Sequence, residues 1–291
     1  MNSFEFIKYK QRIWADSKDF KLIGSKNERG EKNYTHSLEE NLFVQLTEET
    51  EKNFKQADGH ELSHIEPFPC KMQAIHSSSA LAVNIFEYWK DKDISVIASS
   101  CGLCKDTDKD SIKILFEQKF PISVGFNRSP NIDVLIENTE KHEYEAYGIE
   151  CNFSEAYTKN RSEIENGLKE KYFNLDENIW MDIPETYLLA KSISPTDNKY
   201  AFLHTAQLIK HILGLKKKYG KEHFKILYLW YDVLGECGCK HRHEIESFSK
   251  IVKKDNMAFH SISYQELIFQ LHNRCTPNDV KYLEYIEQRY I

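Results

Sequence analysis

Apolar residues recur along this chain in two rhythms, and their succession sketches an order of elements. In the first 60 residues, Phe4–Trp14 and Leu38–Thr50 carry apolar positions at roughly helical spacing within stretches rich in Lys, Glu and Asn. That spacing predicts helices packed around the edge of a core. A Pro-punctuated loop then leads into Ser77–Ser79 and on to Leu81, Val83, Ile85 and Phe86, the pattern of a capped, buried helix. Short runs of strand character follow, bounded by turn residues: "SIKILFEQKF" at 111–120, "NIDVLIE" at 131–137 and "EAYGIECNF" at 145–153. The charged segment "NTEKHE" between the last two predicts a hairpin.

After Ser154 the pattern turns helical. The stretch "KYAFLHTAQLIKHILGLKKKYG" predicts a long amphipathic helix with Phe202, Ala206, Ile209, Ile212 and Leu213 as its buried stripe and Gly220 as its end. "HFKILYLWYDV" at 223–233 is too apolar for a half-exposed strand and reads as one buried on both faces. A helix near 242–255, a short strand "AFHSIS", and helices in "YQELIFQLH" and "PNDVKYLEYIEQRY" complete the chain. No repeat, low-complexity tract or Gly/Ser linker divides it. The expectation is one domain over 1–291, with an N-terminal helical elaboration at 1–70 and the core at 71–275.

Composition narrows the setting. With 291 residues, 41% hydrophobic and 13% aromatic, the chain can bury a substantial core. No stretch approaches the roughly 20 apolar residues of a membrane helix, and "MNSFEFIKYKQRIW" lacks the features of a signal peptide, so a cytoplasmic protein with no membrane partner is expected. Seven cysteines at irregular spacings favour reduced thiols or a metal site over a disulfide framework. A formal charge of -6 does not advertise nucleic acid. A locally basic cleft can still attract a phosphate backbone, because fields act within a Debye length of about 8 Å.

The chemistry concentrates on two strands. In "YGIECNF" alternation puts Glu150 and Asn152 on one face, and Ile149, Cys151 and Phe153 on the other. On the neighbouring strand Asp133 sits between Ile132 and Val134, and the hairpin returns Glu150 to its vicinity. Two acids on adjacent inward-facing strands repel unless one is protonated or a cation lies between them. A divalent metal resolves that conflict, and phosphodiester cleavage uses such an arrangement. Glu117, in "ILFEQ", is a third candidate carboxylate. The alternative is that Asp133 caps a strand end while Glu150 pairs with a cation such as Lys210.

The order "FE" at 116–117, "NIDVLIE", hairpin, "GIECNFSEAY", a helix carrying "QLIKHILGL" and a buried strand "ILYLWYD" resembles the PD-(D/E)XK nuclease superfamily. More narrowly, it is similar to a bacterial restriction endonuclease branch in which a helix like "SSSALAVNIF" precedes the core. The likeness runs from roughly Ile75 to Leu271. It implies an α/β, restriction-endonuclease-like fold with a mixed central sheet flanked by helices. It also implies Asp133 and Glu150 as Mg²⁺ or Mn²⁺ ligands, Glu117 as a further ligand or a group supporting the ligands from behind, and Gln207 near the cleft. One departure stands out: where the signature has Lys two residues after the Glu, this chain has Asn152. Asn152 is then expected to orient the attacking water, with Lys159 or Lys210 as candidates for the missing positive charge.

Cys101 and Cys104 form a C-x-x-C, while Cys237 and Cys239, with His241 and His243, crowd into "ECGCKHRH". Together the four cysteines offer a possible zinc site, against the alternative of two exposed loops with reduced thiols. Lys216–Lys218, Lys221, Lys240 and Arg242 fit either a DNA-facing rim or a solvated surface. His76 and His211 read as structural residues rather than ligands. The expectation is a metal-dependent DNA endonuclease of restriction or anti-phage defence, with DNA preferred to RNA and a homodimer possible. The alternative is a silent relative that only binds nucleic acid or a protein partner.

Overall fold

The structure is a computed structural model, and it describes residues 1–25, 31–64, 67–140, 142–158, 166–174 and 178–291. In chain order the elements begin with α1 (Ser3–Ser17), β1 (Ile23–Gly24), β2 (Lys32–Tyr34), α2 (Leu38–Asn41) and α3 (Glu48–Gln56). Next come α4 (Ser78–Phe86), α5 (Ile94–Ser100), β3 (Ser111–Lys119), β4 (Asn131–Asn138) and β5 (Ala146–Asn152). The chain continues with α6 (Pro184–Ser192), α7 (Thr205–Tyr219), β6 (Phe224–Trp230), α8 (Glu236–Lys254), β7 (Phe259–Ser263), α9 (Tyr264–His272) and α10 (Val280–Tyr290).

The sheet order is β3-β4-β5-β6-β7. β3, β4 and β5 run antiparallel because short connections turn the chain back. β6 and β7 are each parallel to their predecessor, as helical crossovers through α6–α7 and through α8 require. This is the expected mixed sheet flanked by helices. On one face Ile114, Val134, Ile149, Leu227 and Leu229 pack with α4, α5, α9 and α10. On the other, Leu115, Leu135, Ile226 and Tyr228 pack with α6, α7 and α8. β6 alternates between the two cores, which is why its sequence is apolar without a break.

Several sequence expectations need correction. Residues 1–70 are not purely helical, since β1 and β2 form a small antiparallel sheet. Nor do they lie only at an edge: Ile7, Leu42 and Phe54 belong to the same core cluster as the central strands. Leu38–Thr50 is broken into two helices, each started by its own side-chain cap, Ser37 and Thr47. α7 starts at Thr205 because the Glu244 carboxylate, from α8, takes the backbone N–H groups of Ala201, Phe202 and Leu203 at 2.8–2.9 Å. α8 begins at Glu236, so "ECGCKHRH" forms helical turns and not an exposed loop.

Two features hold the site's surroundings in place. On α10 the buried Arg289 donates to the Asn41 carbonyl (2.7 Å) and Asn41 Oδ1 (2.5 Å), to Tyr285 Oη (2.6 Å) and to Gln11 Oε1 (3.1 Å). Its guanidinium lies 4.0 Å from the centre of a Trp14 ring. α7, in turn, lies close against the end of β3: a Cβ on Gly214 would come within 2.8 Å of the Phe120 carbonyl oxygen. Backbone cannot yield as a flexible side chain does. Gly214→Ala is therefore expected to lose about 1–3 kcal/mol by overpacking, read as a lowered melting temperature, and to pull Gln207 and His211 away from the sheet.

Candidate active site

Backbone irregularity builds the site. Along β3 and β4 Phe116 pairs with Val134 and Gln118 with Ile132, so Glu117 and Asp133 stand opposite each other between those pairs. Phe116 and Val134 belong to one core, while Ile132 and Phe120 belong to the other, so the alternation resets across Glu117 and Asp133. Glu117 has φ +53, a left-handed conformation that a non-glycine residue keeps only when its surroundings impose it. The β4–β5 ladder ends at Val134↔Ile149. Just beyond, the Cys151 N–H donates to Asp133 Oδ2 at 2.7 Å, so a carboxylate replaces the missing backbone partner.

Glu150 follows on β5, beside Tyr228 of β6 and facing α7. It is only 3% exposed. Asn152 Nδ2 donates to its Oε1 at 3.3 Å, Gln207 Nε2 donates to its Oε2 at 3.3 Å, and His211 Nδ1 lies 3.2 Å from Oε2. Burial, together with the Lys210 charge, holds the His211 imidazole down at about 3, so it is neutral near pH 7 and the contact is not an ion pair. Asn131 Nδ2 donates to Glu117 Oε2 at 3.1 Å. Asn152 Oδ1 is buried with no partner among the described residues. An orphaned acceptor beside a carboxylate marks a place for a donor that these residues do not supply.

These acids repel one another in a poorly solvated place. Burial, and then the nearby Glu61 and other acids, push Glu117 up to about 7. Burial, with Glu155 and Glu117, pushes Glu150 up to about 8. Asp133 is raised as well, first by burial and then by Glu150 and Glu117. The three titrate as a coupled set. They floor a cleft of about 750 Å³ whose walls include Ser78, Glu155, Arg128, Lys169, Lys171 and Lys210. Perturbed acids gathered in a cleft are a signature of functional chemistry.

The structure brings Asp133, Glu150, Asn152 and Glu117 together, with Gln207 beside them. Lys210 lines the same cleft; Lys159 lies outside the described residues. Sequence reasoning set His211 aside, although it stands four residues after Gln207 and so on the same helical face. It also missed Ser78, whose hydroxyl donates to Glu155 and accepts from the Phe153 N–H at 3.0 Å.

The four cysteines are not brought together. Lys225 Nζ, at the start of β6, donates to the carbonyls of Gly102 (3.1 Å) and Leu103 (3.3 Å), which places Cys101 and Cys104 there. Cys237 and Cys239 follow the other end of β6, about 20 Å away by strand rise. Cys101 is fully buried, so it is no exposed loop thiol. His241 is occupied too, between Tyr157 Oη (3.0 Å) and Tyr228 Oη (2.9 Å). No group of three or more His, Cys, Asp or Glu side chains among the described residues forms a ready-made metal cage, and no described helix is long and apolar enough to cross a membrane.

A five-stranded mixed sheet flanked by helices, with carboxylates meeting where its strands part, defines a restriction-endonuclease-like α/β protein. The family can be given more closely. The family model REase-ARP, described as Restriction Endonuclease associating with ARP, matches residues 9–291, and the chain belongs to that family. No curated protein and no solved structure matches the chain.

Proposed function

We propose that this chain is a metal-dependent DNA endonuclease of the PD-(D/E)XK type, acting in restriction or anti-phage defence. The observation that carries the reading is the set of three mutually repelling carboxylates, Glu117, Asp133 and Glu150, at the floor of one cleft. All three are pushed toward the protonated form. Such a set is relieved by a cation, and its all-oxygen donors suit Mg²⁺ or Mn²⁺. Mg²⁺ is usually held by one or two carboxylates, waters and substrate phosphate. Asp133 and Glu150 are the residues that would hold it, with Glu117 assisting. When bound, the ion would neutralise charge on the phosphodiester and acidify water for attack.

The chain's own residues do the positioning. Gln207 and His211 fix one oxygen of Glu150 while Asn152 holds the other. The unpartnered Asn152 Oδ1 is an acceptor for a proton of the attacking water. Asn152 itself brings no charge. Lys210, at the cleft wall, is the cation that supplies it.

The test is cleavage of plasmid and phage DNA by EDTA-stripped protein given Mg²⁺ or Mn²⁺, with Glu150→Ala beside the wild type. Cutting by the wild type alone is expected. If neither protein cuts any DNA or RNA substrate while the wild type still binds nucleic acid, the reading is replaced by that of a silent binding protein.

A further inference from the structure

The cleft's floor is acidic, yet one wall is cationic without being neutralised. Lys169 and Lys171 sit on the segment 166–174, and Lys210 faces them from α7 across the same cavity. Elsewhere in this chain a lysine near an acid pairs with it, as Lys119 does with Asp58 (2.8 Å) and Lys113 with Glu49 (2.7 Å). Among the described residues none of the three wall lysines forms an ion pair. The charges felt by Lys210 are those of Lys171 and Lys169.

Aromatic rings hold two of these ammonium groups, those of Lys171 and Lys210, instead. Lys171 Nζ lies 4.3 Å from the centre of the Phe126 ring and 5.6 Å from that of Tyr172. Lys210 Nζ lies 6.0 Å from the Tyr172 ring, which packs edge-on against Phe126 at 4.6 Å. A ring face attracts a cation but accepts no charge from it, so the ammonium protons stay available to an anion. The segment that carries Lys169 and Lys171 is itself pinned. Gly167 N–H donates to the Pro195 carbonyl (2.9 Å), and Leu168 N–H to Ser194 Oγ (3.0 Å). Leu168 is fully buried. Gly167 lies so close to the α6–α7 connection that a Cβ there would meet the Ile193 carbonyl oxygen at 2.1 Å. A glycine is required for the segment to lie that near, and its position sets how far the lysines overhang the cleft.

We infer that Lys169 and Lys171, continuous with Lys210, form a backbone-binding wall that takes the two phosphates next to the scissile one, so that a single nucleic-acid strand runs between this wall and the acidic floor. The inference rests on the nuclease reading for what happens at the floor, but the wall's ligand is the phosphodiester backbone whether or not the strand is cut. The wall supplies affinity, not sequence choice, because phosphate contacts carry no base information.

The experiment is equilibrium binding of a fluorescently labelled 20-nucleotide single strand, and of the matching duplex, to the full chain in EDTA at several salt concentrations. The variants are Lys169→Gln with Lys171→Gln and, as a charge-matched control, Lys217→Gln with Lys218→Gln further along α7. For the single strand, the cleft pair is expected to weaken binding at least tenfold near 0.1 M salt. It should also lower the slope of log K against log salt by about 1.4, roughly 0.7 for each phosphate that the variant no longer neutralises. The control pair should change binding less than threefold, with an unchanged melting temperature in both variants showing that the fold is kept. Equal effects from the two pairs would overturn the wall, as would no binding of either probe by the wild type. Tighter binding of the duplex than of the strand would overturn the single-strand path. Cleavage by the wild type, measured separately with Mg²⁺, tells these failures from a failure of the nuclease reading.

Discussion

Asp133→Asn is expected to make the metal-free protein more stable while reducing cleavage by at least about 10³-fold. The amide keeps the shape and the oxygen that accepts the Cys151 N–H. It removes one of three charges that burial and mutual repulsion disfavour. On the proposed nuclease reading, loss of a charged metal ligand would remove several kcal/mol of transition-state stabilisation, each 1.36 kcal/mol being tenfold in rate. The trade is the one made by sites whose function needs a destabilising arrangement.

The same repulsion fixes the sign of a pH effect. Glu117 and Glu150 have folded values of about 7 and about 8 against an ordinary 4.5. Between those limits the folded protein holds more protons than the unfolded chain, so their contribution is full below pH 4.5 and is lost as the pH rises through 7 and 8. His76, held down to about 4 chiefly by burial, and His211 work in the opposite direction, but only below their ordinary value of 6.5. Melting in EDTA should therefore fall from pH 6.5 to 8.5. Asp133→Asn should flatten that fall, and Mg²⁺ should restore stability most at pH 8.5. A wild-type melting temperature that stays level across this window would remove the repelling carboxylates from the account.

Arg289→Ala is expected to be the most damaging single change to the fold. It would leave the oxygens of Asn41 and Gln11 that Arg289 now serves buried without donors, and would open a cavity beside Trp14. A loss of about 4 kcal/mol follows from such unpaired acceptors plus the void. For a chain of this size that is a melting temperature lower by roughly 10 °C. Arg289→Lys should not rescue it, because an ammonium group cannot present the planar fork that reaches both Asn41 oxygens at once. A shift of less than 3 °C in Arg289→Ala would show that the acceptors find other donors.

The strands at 111–120, 131–137 and 145–153, and the convergence of Asp133 with Glu150, were legible because alternation and a short connection act locally. What escaped was set by distant partners. No local pattern announces that Glu244 would claim the backbone ahead of α7, or that Glu117 would take a left-handed conformation and reset two strands. "ECGC" carries glycine and resembles a loop, yet Gly238 is there so that the first turn of α8 can pass within contact of the Val233 carbonyl. Lys169 and Lys171 have no periodicity to betray them, since their placement depends on how Gly167 meets the α6–α7 connection.

The Arg289 clasp also has a consequence in time. Gln11 Nε2 donates to the Arg289 carbonyl across a sequence separation of 278 residues. At a synthesis rate of 5–20 residues per second, α1 exists for roughly 15–55 s before the helix that covers it has been made. Throughout that interval Ile7, Trp14 and Ala15, all buried in the finished protein, have no α10 to cover them. The growing chain thus presents a sticky helix until α10 is made, and a chaperone that shields it would raise the yield of folded protein without touching any residue of the cleft.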